Sequence, residues 1–193
     1  MRLFVGLMLP AALAGELHAS ALSALGEALH GAGAPLRVTP ASSLHLTLAF
    51  LGEVEGERLA PLWAELELAW RGCAAPELDL THTGAFPRRG SERVLWVGVE
   101  EKCAGVLGVL RERTLAACER VGLEPRWGDH DFHPHLTLAR MRTRGERLSA
   151  GALDAFYAWR PGRLWRPEAV QLVQSEAGAA YRSRGSFGLA GRA

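Results

Sequence analysis

One pentapeptide occurs twice in this chain. His45-Leu46-Thr47-Leu48-Ala49 returns letter for letter as His135-Leu136-Thr137-Leu138-Ala139, 90 residues later. Its surroundings repeat as well. Leu3-Phe4-Val5-Gly6-Leu7 matches Leu95-Trp96-Val97-Gly98-Val99 at an offset of 92, and Gly56-Glu57-Arg58-Leu59 matches Gly145-Glu146-Arg147-Leu148 at 89. Three ordered matches at nearly one spacing mark an internal duplication. Such a chain must build two similar units that bury apolar surface together.

Each unit reads β-α-β-α-β. It opens with an apolar strand, residues 3–9 or 93–99. Helical spacing follows, with Leu13, Leu17, Leu22, Leu25 and Leu29 in the first half and Leu107, Leu110, Ala117 and Val121 in the second. The HLTL strand comes next, then a helix at about 57–71 or 145–158. A last strand closes the unit, Glu77–Thr83 or Ala169–Gln174. Pro35, Pro40, Pro76, Pro87, Pro134 and Pro167 fall between elements, as breakers should. No low-complexity linker divides the halves. The expectation is a single bilobal domain over 1–193, with repeats at approximately 1–90 and 91–193.

Alternate side chains of a strand share a face. His45 and Thr47 therefore point one way and Leu44, Leu46 and Leu48 the other; His135 and Thr137 repeat this against Leu136 and Leu138. If a pseudo-twofold axis relates the lobes, the two polar faces meet across a cleft. Paired histidines supply what phosphoryl transfer needs, a base for the attacker and an acid for the leaving oxygen. An imidazole pKa near ~6.5 lets one ring be neutral while its twin is protonated. The threonine hydroxyls can donate to phosphate oxygens, or accept a ring N–H and fix the tautomer. Arg140 shares the face of Thr137 only if the strand bends; there it can clamp a phosphate. Arg142 and Arg144 continue an alternating basic row. Phe50 takes the place of Arg140 in the first half, as a stacking surface for a base or as core.

A metal reading uses His133 and His135 with His45, near His130 and Asp131. The first half has no counterpart to His130 or His133, so no metal and no cofactor are expected. His18, His30 and His82 have no partner in view.

The twin His-x-Thr-x signature resembles the two-histidine phosphoesterase superfamily, and within it the RNA 2′,3′-cyclic phosphodiesterases, historically called 2′-5′ RNA ligases. The resemblance runs nearly end to end. It includes Arg2-Leu3-Phe4-Val5, the stretch His45 to Val54, Gly84-Ala85-Phe86-Pro87, Val94-Leu95-Trp96, and Phe132 with Pro134 to Arg140. It implies an α+β, bilobal fold in which two pseudo-symmetric lobes set antiparallel sheets around a central cleft. It implies hydrolysis of a 2′,3′-cyclic phosphate at an RNA 3′ end to a 2′-phosphate, without metal, with reversible 2′-5′ joining as a secondary activity. His45 would be the proton donor and His135 the acceptor; Thr47, Thr137 and Arg140 would hold the phosphate. The residues themselves leave the two histidine roles open. Two departures stand out. The family often has tryptophan where this chain has Arg37, so a base or sugar contact there is either lost or replaced by a charge contact. The segment Ser175 to Tyr181 is short, which would displace Gly178 and Tyr181. Phe86 and Trp127 are further candidates for touching a base. Alternatives are a cyclic nucleotide-sugar phosphate or a 2′-5′ oligonucleotide as substrate, or a non-catalytic RNA-end binder.

Bulk properties agree. A formal net charge of +1 gives no strong field toward a long nucleic acid or an anionic membrane, so RNA contact must be local. All 22 basic side chains but Lys102 are arginine, which suits bidentate phosphate contacts. Cys73, Cys103 and Cys118 are odd in number with no CxxC, which fits a reducing cytoplasm. Leu3 to Leu9 with Ala12-Leu13-Ala14 has a signal-peptide look, but the repeat makes it a strand. No membrane association is expected, and the protein should act as a monomer.

Overall fold

The computed structural model describes residues 1–26, 35–103, 105–125, 132–143, 147–176 and 181–190. Nine strands and four α-helices follow in the order β1 (Arg2–Met8), α1 (Ala11–Leu25), β2 (Leu36–Val38), β3 (His45–Glu53), α2 (Leu59–Trp70), β4 (Leu78–Phe86), β5 (Val94–Glu101), α3 (Val106–Arg120), β6 (His135–Met141), α4 (Ala150–Ala158), β7 (Arg163–Trp165), β8 (Ala169–Ser175) and β9 (Tyr181–Gly188) among the described residues. The repeat therefore aligns β1-α1-β3-α2-β4 with β5-α3-β6-α4-β8. The short strands β2 and β7, and the longer β9, are not expected from the sequence. The second-half helix starts at Ala150, not near 145, because Ser149 caps it by accepting the Ala152 N–H at 3.3 Å. Leu29, His30, Trp127, His130, Asp131, Arg144 and Gly178 lie outside the described residues.

The strands form one antiparallel sheet in the order β7-β4-β5-β6-β3-β1-β8-β9, with β2 beside β6. Two expected sheets are thus one, joined by a thin seam: β3 and β6 pair at Leu46↔Leu136. Equivalent residues of the repeat meet there, so the pseudo-twofold axis passes between them. The halves also exchange their closing strands. β4, from the first repeat, pairs with β5 of the second, and β8 of the second pairs with β1 of the first. Helices cross over too: α2 packs on α3, α1 on α4, and α3 on β3. The HLTL strand of the first unit thus packs on a helix of the second. Leu46, Leu48 and Leu136 are fully or almost fully buried, and Leu138 is 2% exposed.

The sheet is strongly curled. Three strand steps separate β3 from β9, which would be ~14 Å in a flat sheet. Yet the His45 and Tyr181 rings stand 5.1 Å apart. Helices pack against the convex side, and the concave side is left as a cleft along the seam.

Candidate active site

Both HLTL strands break register at the same place. On β3 the pairing to β1 passes from Gly6↔Thr47 to Val5↔Ala49, skipping Leu48. On β6 the pairing to β5 passes from Trp96↔Thr137 to Leu95↔Ala139, skipping Leu138. An extra residue of this kind bends a strand and shifts its alternation. Leu48-Ala49 and Leu138-Ala139 are consecutive buried pairs as a result, and Phe50 and Arg140 return to the cleft face. The bend that Arg140 requires is this bulge.

The cleft encloses a cavity of about 460 Å³ lined by His45, Thr47, Phe50, His135, Thr137 and Arg140, together with Arg37. The sequence-predicted residues thus converge from two halves of the chain. Arg2, Phe4, Ser43, Glu176 and Tyr181 also line it and were not predicted as site residues. Arg2 and Phe4 were legible in principle, since alternation on β1 puts them on one face. Tyr181 opens β9 and reaches the cavity. Its ring meets His45 edge-on, and Phe4 stacks on His45 at 4.5 Å. On the other side, Phe86 stands 5.0 Å edge-on from the His135 ring. His82 does have partners: Thr81 lies 2.8 Å from its Nδ1, and Glu100 3.4 Å.

The two imidazoles are held identically. His45 Nδ1–H donates to the Ser43 carbonyl at 2.7 Å, and His135 Nδ1–H donates to the His133 carbonyl at 2.7 Å. A carbonyl oxygen can only accept, so Nδ1 carries the proton and Nε2 is free to accept or give one toward the cleft. The tautomer is thus set by backbone two residues upstream, not by the threonines.

Burial pulls the His45 pKa down to about 4; the Ser43 bond works the other way, and His135 and Arg140 lower it further. His135 is also lowered, first by burial and then by His133 and Arg140, against its bond to His133. Tyr181 is raised by burial, with Arg140, Arg37 and Arg2 opposing. Among the described residues, no group of three His, Cys, Asp or Glu side chains is placed to hold a metal ion.

The family model of the 2′-5′ RNA ligase superfamily matches residues 15–179. The chain belongs to this superfamily. Its repeat, bulged HLTL strands and central cleft are therefore read as features of a superfamily member. A Thermus thermophilus relative named RNA 2′,3′-cyclic phosphodiesterase is 31% identical over 198 residues, covering 99% of this chain and 91% of its own length. An Aeropyrum pernix relative of the same name is 34% identical, over 63% of this chain and 66% of its own length, just under two thirds. The crystal structure of the Thermus thermophilus protein TT0787 superposes over 100% of both chains with a TM-score of 0.76 and 32% identity. This superfamily member keeps both histidines, both threonines and Arg140 around one cavity.

Proposed function

We propose that the protein is an RNA 2′,3′-cyclic phosphodiesterase. It opens the cyclic phosphate at an RNA 3′ end and leaves a 2′-phosphate. The observation that carries this reading is the convergence of His45 and His135, each with Nε2 free, on one cavity with Thr47, Thr137 and Arg140. The names of the Thermus thermophilus and Aeropyrum pernix relatives support it.

In this reading Thr47 and Thr137 donate to the non-bridging phosphate oxygens, and Arg140 offsets their charge. Water attacks phosphorus in line with the 3′ oxygen. His135 Nε2 takes the water proton, the P–O3′ bond breaks, and His45 Nε2–H protonates the departing 3′ oxygen. The product carries a 2′-phosphomonoester and a free 3′-hydroxyl. No step needs a metal ion.

His45 must be protonated to act as the acid, yet its pKa is about 4 in the empty cleft. The substrate supplies the correction. One anionic charge at ~4 Å in an effective dielectric of ~20 contributes about 4 kcal/mol, enough to carry the imidazole to near neutrality. The site thus charges its acid when the phosphate arrives. Three unpaired cysteines fit action in the reducing cytoplasm. If the 5′-hydroxyl of a second RNA attacked phosphorus in place of water, the same P–O3′ bond would break and a 2′-5′ linkage would remain; water is far more abundant than RNA ends, so joining is secondary.

The test is a short RNA bearing a 2′,3′-cyclic phosphate, incubated with protein in excess chelator. Ends converted to 2′-phosphate support the reading. Loss of activity in chelator with rescue by zinc, or a 3′-phosphate product, contradicts it.

A further inference from the structure

The cleft holds more positive charge than one cyclic phosphate needs. Arg37 and Arg140 are direct cross-strand partners on β2 and β6. Like charges placed opposite each other destabilise a strand pair. Arg2 joins them from β1, its guanidinium 4.9 Å from the centre of the Phe50 ring. All three line the one cavity. Among the described residues none of the three has an ion pair with a carboxylate. Glu176 is the acidic side chain of the lining. With both imidazoles neutral, three guanidiniums and one carboxylate leave a surplus of two positive charges. A cyclic phosphodiester brings one negative charge.

The three arginines are not equivalent. Arg140 bears electrostatically on both His45 and His135. Arg2 and Arg37 bear instead on Arg140 and Tyr181. They line the cavity one step out from the two histidines. A guanidinium is suited to phosphate through its planar, two-pronged donor set.

We propose that Arg2 and Arg37 form a second phosphate subsite, which takes the phosphate linking the terminal nucleotide to the one before it. The preferred substrate is then an oligonucleotide end, and a nucleoside 2′,3′-cyclic phosphate is a poor one. Naming the second anion as an RNA phosphate rests on the function proposed above. The subsite itself rests on the arginines.

Calorimetry at low ionic strength tests the subsite without any turnover. The probes are adenosine 3′-monophosphate and adenosine 3′,5′-bisphosphate. The bisphosphate should bind at least tenfold tighter. Arg37→Ala and Arg2→Ala should each cut that advantage to threefold or less, and Arg37→Lys should keep part of it. Arg2 and Arg37 are exposed, so unchanged melting temperatures will show the variants folded. Arg71→Ala, at the end of α2 and outside the cavity, should leave the advantage intact. Equal binding of the two probes overturns the proposal. So does an advantage that survives both substitutions, or one that Arg71→Ala erodes as much as Arg37→Ala, since that is net charge alone. A kinetic arm compares a dinucleotide ending in a cyclic phosphate with its uncharged methylphosphonate-linked analogue. The charged linkage should raise kcat/KM at least tenfold, and Arg37→Ala should collapse the ratio; a ratio near one in the unsubstituted protein overturns the proposal. No turnover of either dinucleotide contradicts the proposed function, and the calorimetric result still decides the subsite.

Discussion

His45 is the most environmentally altered group in the cleft. It sits between Phe4 and Tyr181, bonded at Nδ1 to a backbone carbonyl. The sign of its pH dependence follows. kcat/KM reports the free protein, where both imidazoles are lowered by burial, His45 to about 4. The form with one ring protonated is then most populated below the ordinary imidazole pKa of ~6.5, so the kcat/KM bell should peak on the acid side of it. kcat reports the complex, where bound phosphate raises the acid's pKa. Its profile should lie at higher pH. Coincident profiles, measured from pH 4 to 9, would count against the proposed recharging. Tyr181 bears on the same quantity through its ring. Tyr181→Ala admits water and should raise the His45 pKa toward ~6.5, while Tyr181→Phe should leave it low. A proton NMR titration of the His45 ring distinguishes them. At this scale the sequence showed the histidines and threonines because they recur. It concealed Tyr181 because that ring reaches His45 through the curl of the sheet, and no spacing along the chain encodes curl.

At the scale of elements, the strands were legible and the bulges were not. Alternation placed the histidines and threonines on one face of each HLTL strand. Arg140 and Phe50 fell on the wrong face by simple counting, and only the skipped Leu48 and Leu138 bring them back. Nothing local in Leu-Ala announces a bulge, because it is fixed by pairing to β1 and β5. Close strand packing beside the site is equally non-local. A Cβ on Gly84 of β4 would lie 2.1 Å from the ring of Trp96, which is only 7% exposed and cannot swing away. Gly84→Ala should cost about 1–3 kcal/mol by overpacking, lowering the melting temperature by roughly 3–10 °C. Thermal unfolding followed by circular dichroism checks this. An unchanged midpoint would mean that Trp96 has room that the packing denies. β2 and β7 escaped the sequence because three residues carry little signal and their partners lie far along the chain, and β9 because Tyr181–Gly188 has no clean apolar alternation.

At the scale of the whole molecule the two halves of the chain are interlocked, which the repeat in the sequence does not reveal. β4 and β8 each complete the other unit's sheet. Fragments 1–90 and 91–193 should therefore be largely unfolded when separate and regain native circular dichroism when mixed. A fragment that folds and melts cooperatively by itself would contradict the interlocked arrangement. The same architecture explains the cleft: an antiparallel meeting at Leu46↔Leu136 puts one imidazole from each half in one cavity, in a setting that Phe50 and Arg140 make unequal. In the proposed mechanism one half gives a proton and the other takes it. A cyclic substrate with sulfur in place of the bridging 3′ oxygen tests that most directly, since a thiolate leaves without needing a proton. His45→Ala should be severely impaired on the oxygen substrate and recover at least ~10²-fold on the sulfur one, the scale of a lost proton transfer, while His135→Ala should stay impaired on both. Recovery of His135→Ala instead, or of neither variant, would contradict the account.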